Sequence, residues 1–385
     1  MRAVFGRTTK ALPVAMIALA ALVAGGASAP ASGATAAGAA FSDHVFASGA
    51  KILHATPKGS VAISLPDDIT YLGHHIFVGF QNGVGPQGQA STTGNRDSTI
   101  VEFSLSGHPV DQWDVVGKCD GLTADPLDGR VIATVNEDAH SSVYEIDPAA
   151  GGAAVHYRYS EPLPSKGGTD AIEIYHRMVL ISASAPGTTG AAAPSAKYPA
   201  VYRAVFHAAS RVAAIRPLFF DEAAAVLANT NSPMYGKHVH LALTDPDSNE
   251  VVPAYAHRFA GDFMLTSQGD KEQVFVGGAG TRHQTLSVLT LSDSVDDTAW
   301  ASDRSGAIYT TDNSANTIIK VTGPFKRGSV FVADTPCDAG DAPSTCPGPG
   351  FPANYLGELN PDTGAITRVV LHGPSVQAQG MLFLP

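Results

Sequence analysis

Positive charge is scarce in this chain, with 24 Lys and Arg against 35 Asp and Glu in 385 residues and a formal charge of -11. Nucleic acid and anionic lipid both require clustered Lys and Arg, and no basic stripe is present, so neither is expected as a partner. Charged residues together make up 15%, below the usual quarter of a soluble domain. Several catalytic signatures are missing: there is no Gly-x-Ser-x-Gly elbow, no His-Glu-x-x-His and no phosphate loop. Beyond the first segment no apolar run is long enough to span a bilayer, which takes about 20 residues.

Cysteine is limited to three residues. Cys337 and Cys346 flank a short loop inside a Pro/Gly-rich insertion that ends at Pro352, and a disulfide between them is expected in an oxidising compartment. Cys119 is left over and reads as a free thiol in a half-buried turn, with nothing to make it reactive.

What is present begins with a leader. Arg2, Arg7 and Lys10 precede the fourteen apolar residues Ala11–Ala24, and small residues follow. This predicts a secretory signal peptide over 1–36, cleaved after Ala34-Thr35-Ala36 or after Ala27-Ser28-Ala29. Removing three positive charges takes the formal charge from -11 to -14. The expected product is a secreted, extracellular, acidic monomer with no membrane association, its one domain covering 37–385.

With 44% hydrophobic residues, 39 Gly and 26 Pro, the remainder has the composition of a turn-rich β protein. Four β-prone runs between Asp297 and Asp334 are separated by turn residues and read as one four-stranded meander. Similar units start at Asp68, Asp120 and Asp170, 52 and 50 residues apart, and Asp221 falls 51 further on. Four-stranded units at that period predict an all-β fold, a single β-propeller. About 28 strands give seven blades, with six as the alternative, because spacing degrades after Asp221. A first strand at 379–385 has no successor, and the strands near Val45, Lys51 and Ser60 have no first partner. The two termini are therefore expected to share a blade, which removes free sheet edges. A pair of β-sandwiches is the competing fold.

The runs Asp120–Pro126, Gly129–Thr134 and Ser142–Pro148, with Asn316–Gly323, resemble propellers of the NHL-repeat type and of the senescence-marker-protein and gluconolactonase superfamily. The resemblance implies a divalent metal at the channel mouth and hydrolysis of a lactone or ester, with Asp120 the best match to a family ligand, then Asp170 and Asp68. The family's Glu-Gly-Pro signature near the mature N-terminus and its Asn-Gly blade start have no counterpart here.

Independently of any family, first strands line a propeller's channel, so Asp68, Asp120, Asp170, Asp262 and Asp297 are expected to converge. Such carboxylates favour a hard cation, calcium or magnesium, and the expected partner is a small-molecule ligand. The alternative for each Asp is a cap on backbone N–H groups of its own turn. Asn82, Asn136 with Glu137, and Asp312 with Asn313 follow second strands and read as turn formers. His238 and His240 share one strand face without a third ligand. Asp245–Glu250 reads as a turn, and Gly83–Gly88 as a loop. The competing function is a non-catalytic extracellular scaffold that recognises protein or polysaccharide.

Overall fold

The computed structural model describes residues 40–163, 167–184, 198–336, 354–373 and 376–385. The predicted leader over 1–36, the Cys337–Cys346 pair and most of the 186–198 insertion lie outside them. Among the described residues there are 28 strands and one short 3-10 turn, so the structure is all-β as expected.

In chain order, β1 (Ser42–Ser48) is followed by the hairpin of β2 (Leu53–Thr56) and β3 (Gly59–Ala62). A first sheet is the meander β4 (Pro66–Leu72), β5 (His75–Phe80), β6 (Asp97–Ser104) and β7 (Pro109–Val116). The second comprises β8 (Cys119–Asp125), β9 (Arg130–Val135), β10 (Ser142–Ile146) and β11 (Val155–Tyr159). The third comprises β12 (Ile172–Tyr175), β13 (Met178–Ser182), β14 (Pro199–His207) and β15 (Val212–Phe220). Their outer strands β11 and β15 pair in parallel at Arg158 with Val212 and Tyr159 with Ala213, which joins these two sets of four into one eight-stranded sheet.

The sequence periodicity fails beyond this point. β16 (Ala224–Leu227) and β17 (His238–His240) extend the outer edge of a six-stranded sheet whose other strands are β18 (Pro246–Val251), β19 (Phe263–Ser267), β20 (Glu272–Gly277) and β21 (Thr285–Thr290). The last seven strands are β22 (Val295–Trp300), β23 (Ala307–Asp312), β24 (Thr317–Thr322), β25 (Val330–Asp334), β26 (Tyr355–Leu359), β27 (Ile366–Arg368) and β28 (Met381–Leu384). They interleave, because β22 pairs with β25 rather than β23, giving a sheet β22-β25-β26-β27 and another β28-β23-β24-β1. The expected meander over 297–334 is thus split between two sheets. The termini do share a sheet, at its opposite edges, with β23 and β24 between them.

Dividing 28 strands by four does not follow the sheets, since β2–β3 stand alone and β16–β17 widen the fourth sheet. What remains is six sets of four. Packing explains the arrangement. In β5, Phe77 faces the second sheet with Trp113, Leu122 and Val131, whereas Ile76, Val78 and Phe80 face the sixth with Tyr309 and Ile318. Alternate side chains point to opposite faces, so such strands are apolar at every position and buried on both. Ile132 with Ile181, Leu180 with Leu265, Met264 with Trp300, and Phe331 with Ile319 continue the sequence of interfaces. Among the described residues six apolar layers thus lie between these sets of four strands, two of them against β4–β7. Outer strands have one wet face: in β7, Trp113 and Val115 are buried among exposed Asp114 and Val116.

The loop over 81–98 is held over the first sheet by turns and by Arg96, which donates to Gly88 O at 2.7 Å. It reaches the second sheet where Asp138 N donates to Pro86 O at 3.1 Å.

Candidate functional site

Strands β4, β8, β12, β18, β22 and β28 are neighbours in that order, and β28 returns to β4. They surround a cavity of about 670 Å³. Close approach is possible because Gly121 of β8 has no side chain; a Cβ there would lie 2.5 Å from Asp170 O. Four of these strands carry a register slip where they begin, at Pro66/Ile69, Cys119/Gly121, Pro246/Ser248 and Val295/Thr298. A regular strand would send adjacent residues to opposite faces, but a bulge re-aims them. Hence both members of Asp67-Asp68 and of Asp296-Asp297 line the cavity.

Twelve of the lining residues are acidic, and Lys118 is the one Lys or Arg among them. They fall into two tiers. The first, where the strands begin, includes Asp67, Asp120, Asp170, Asp247 and Asp296, with Glu137 from the turn after β9. Lys118 Nζ lies 2.8 Å from Asp120 and 2.5 Å from Glu137, and Gln81 Nε2 donates to Asp120 Oδ1 at 3.2 Å. Burial would lower the Lys118 pKa, but the carboxylates of Asp120, Glu137 and Asp67 outweigh it and raise it, so the ammonium stays charged. Asp67, Asp120 and Asp170 are raised well above the carboxylate range, by burial first and against the pull of Lys118. Asp247 is raised by burial and by Asp170 and Asp296.

Asp68, Glu173, Glu250 and Asp297 form the second tier, one to three residues further along their strands. Asp68 accepts from Ile69 N at 2.6 Å and from Leu122 N of β8 at 2.5 Å. Asp297 accepts from Thr298 N at 2.6 Å and from Met381 N of β28 at 2.5 Å. Each therefore fixes its own strand start, as the capping alternative held, and also ties one sheet to the next. Glu173 is pushed up to about 8 by burial, with Asp297 adding to it and the Ile174 N–H opposing. Asp297 rises to about 7 through burial, opposed by its two N–H donors. Glu250 is raised by burial, then by Glu173, Asp297 and Asp68.

Of the five predicted aspartates, Asp68, Asp120, Asp170 and Asp297 meet in this cavity. Asp262 does not: it closes the turn from β18 to β19, with its N–H on Phe259 O and its carbonyl accepting from Val252 N. The inner strand of that sheet is β18, whose Asp247 and Glu250 sit in the stretch expected to be a turn. Asp67, Asp296, Glu173 and Lys118 were also missed; a doubled Asp at two strand starts was the available signal. Glu137 lies at the first tier, while Asn136 makes the turn by accepting from Lys118 N and donating to His140 O. Asn82 accepts from Ser64 N, and Asp312 from Ala315 N in its own turn and from Gln377 N, and Asn313 lines the cavity. His238 and His240 sit on the edge strand β17, far from the inner ring in sheet order. Cys119 is free and fully buried in β8 rather than half-buried in a turn, and burial raises its thiol pKa.

Among the described residues no three His, Cys, Asp or Glu side chains form a group able to hold a metal ion. Asp68 and Asp297 have both oxygens on backbone N–H groups, and Asp120 faces the Lys118 ammonium.

No protein-family model matches the chain, and no curated protein matches it. Similar solved structures include the periplasmic gluconolactonase of Pseudomonas aeruginosa, at 12% identity and TM-score 0.44 over 86% of this chain and 91% of that one. A Bacteroides fragilis protein assigned as a 6-phosphogluconolactonase matches at 11% identity and TM-score 0.42 over 91% and 99%. A Bacteroides caccae protein of unknown function matches at 8% identity and TM-score 0.44 over 83% and 86%. At such values the reading of the site rests on its own chemistry.

Proposed function

We propose that this chain is a secreted six-bladed β-propeller that binds a positively charged small ligand in its axial cavity. The circuit of six apolar layers supports the blade number, and the charge pattern of the leader supports secretion. One observation carries the ligand class: twelve acidic side chains line the cavity against a single lysine. Carboxylates gathered in a low-dielectric site repel one another and shift toward protonation, unless a cation neutralises them. A cavity of about 670 Å³ lies in the range of small-ligand sites, roughly 300–1,000 Å³.

Calcium or magnesium is the competing occupant, and it would have to complete its shell with water. Lactone or ester hydrolysis is the activity the family resemblance implies. Glu173 and Asp297, with pKa values of about 8 and about 7, are the lining groups that would exchange protons near neutrality.

Thermal melts of the purified chain test the ligand class, with organic ammonium salts, calcium, magnesium and the anion citrate at matched ionic strength. Cations should raise the melting temperature with concentration, and Asp170→Asn should weaken the effect. A response to calcium alone keeps the cation site but makes the occupant a metal. A rise with citrate and none with any cation would refute the proposal.

A further inference from the structure

The two tiers ask for different partners along one axis. From Asp247 to Glu250 along β18, and from Asp170, just before β12, to Glu173 within it, the tiers are three residues apart in sequence. That is about 10 Å along an extended strand at roughly 3.3 Å per residue, more than one bare ion spans. Lys118 reaches Asp120 and Glu137, which leaves the second tier and the Asp247 wall without a side-chain cation among the lining residues.

A second observation, independent of the carboxylates, points the same way. Asn249 lines the cavity and is 7% exposed. Its Nδ2 donates to Ala171 O at 3.0 Å, which fixes the amide orientation, and its Oδ1 has no donor. Asp120 Oδ2, on a residue also 7% exposed, and Asp247 Oδ2 are likewise without partners. Asn249 Oδ1 is an acceptor at any pH and the two carboxyl oxygens are acceptors when ionised, and a buried acceptor left unpaired costs about 1–3 kcal/mol. An ammonium brings three N–H donors.

Building on the reading of the cavity as a cation site, we infer that its ligand is a linear organic chain carrying two or more ammonium groups. One ammonium sits against Glu173 and Glu250, another against Asp247 and Asn249, and the methylene stem spans the distance between them.

Isothermal titration at neutral pH and physiological salt tests this with spermidine, 1,4-diaminobutane, butylamine and calcium chloride. Spermidine should bind at least about tenfold tighter than butylamine, the worth of one added charge-assisted hydrogen bond. Glu173→Gln and Asp247→Asn, one in each tier and both checked for folding by circular dichroism, should each weaken spermidine by about tenfold and butylamine much less. Equal affinities for spermidine and butylamine, or folded variants that bind spermidine unchanged, would overturn the inference while leaving a cation site. Calcium binding with no amine binding overturns it too, and if no cation binds at all the proposed function falls with it.

Discussion

Glu173→Gln offers a test in which stability and binding move in opposite directions. The Glu173 carboxyl is moved from 4.5 to about 8, chiefly by burial. Between those values the folded chain holds a proton that the unfolded chain has released. Stability then falls as pH rises, by up to about 1.4 kcal/mol per pH unit for one proton. Integrated over the window this is on the order of 4 kcal/mol, present below pH 4.5 and lost by about pH 8. Glutamine keeps the acceptor for Ile174 N, now met at 2.7 Å by Glu173 Oε1, and has no charge to desolvate. Its stability should match the parent near pH 5 and exceed it at pH 8 by roughly 2–4 kcal/mol, the discount reflecting relief shared with Asp297. Urea unfolding at pH 5, 6, 7 and 8, followed by the fluorescence of the buried Trp113 and Trp300, measures both slopes. A parent that gains stability from pH 5 to 8, or a variant with the parent's slope, would refute this account of the second tier.

Two further changes probe the surroundings. Lys118→Met leaves Asp120 and Glu137 without their cation; it should cost about 3 kcal/mol at pH 7.5 by urea denaturation, and less at lower pH, because burial raises the Asp120 pKa. The turn from β12 to β13 holds His176 and Arg177 at φ of 47° and 68°, a conformation that suits Asn-Gly. His176→Asn combined with Arg177→Gly should raise stability by about 1–2 kcal/mol, read as a higher urea midpoint with unchanged slope.

The first three sheets were legible in the chain because each is a local meander, joined by short turns such as Gly73-His74, both at positive φ. There the spacing of Asp68, Asp120 and Asp170 marks successive inner strands, and all three residues reach the cavity. The fourth sheet misled the reading because its inner strand, β18, begins in Asp245-Pro246-Asp247-Ser248-Asn249-Glu250, a composition that favours turns. Asp262, beside the more apolar β19, took its place by pattern alone.

Composition, alternation and turn chemistry determined an all-β chain of about 28 strands, because side-chain period and turn backbone are local properties. Which strands pair across long separations is set by what each apolar face must cover: the unpaired strands at the two ends foretold that the termini share a sheet, but only the folded arrangement decided that β22 joins β25 and that β23 and β24 lie between β1 and β28. The same holds for the site. Bulges that turn Asp67 with Asp68 and Asp296 with Asp297 into one cavity, and the side chain of Lys118 placed between Asp120 and Glu137, arise from strand contacts that no stretch of sequence contains.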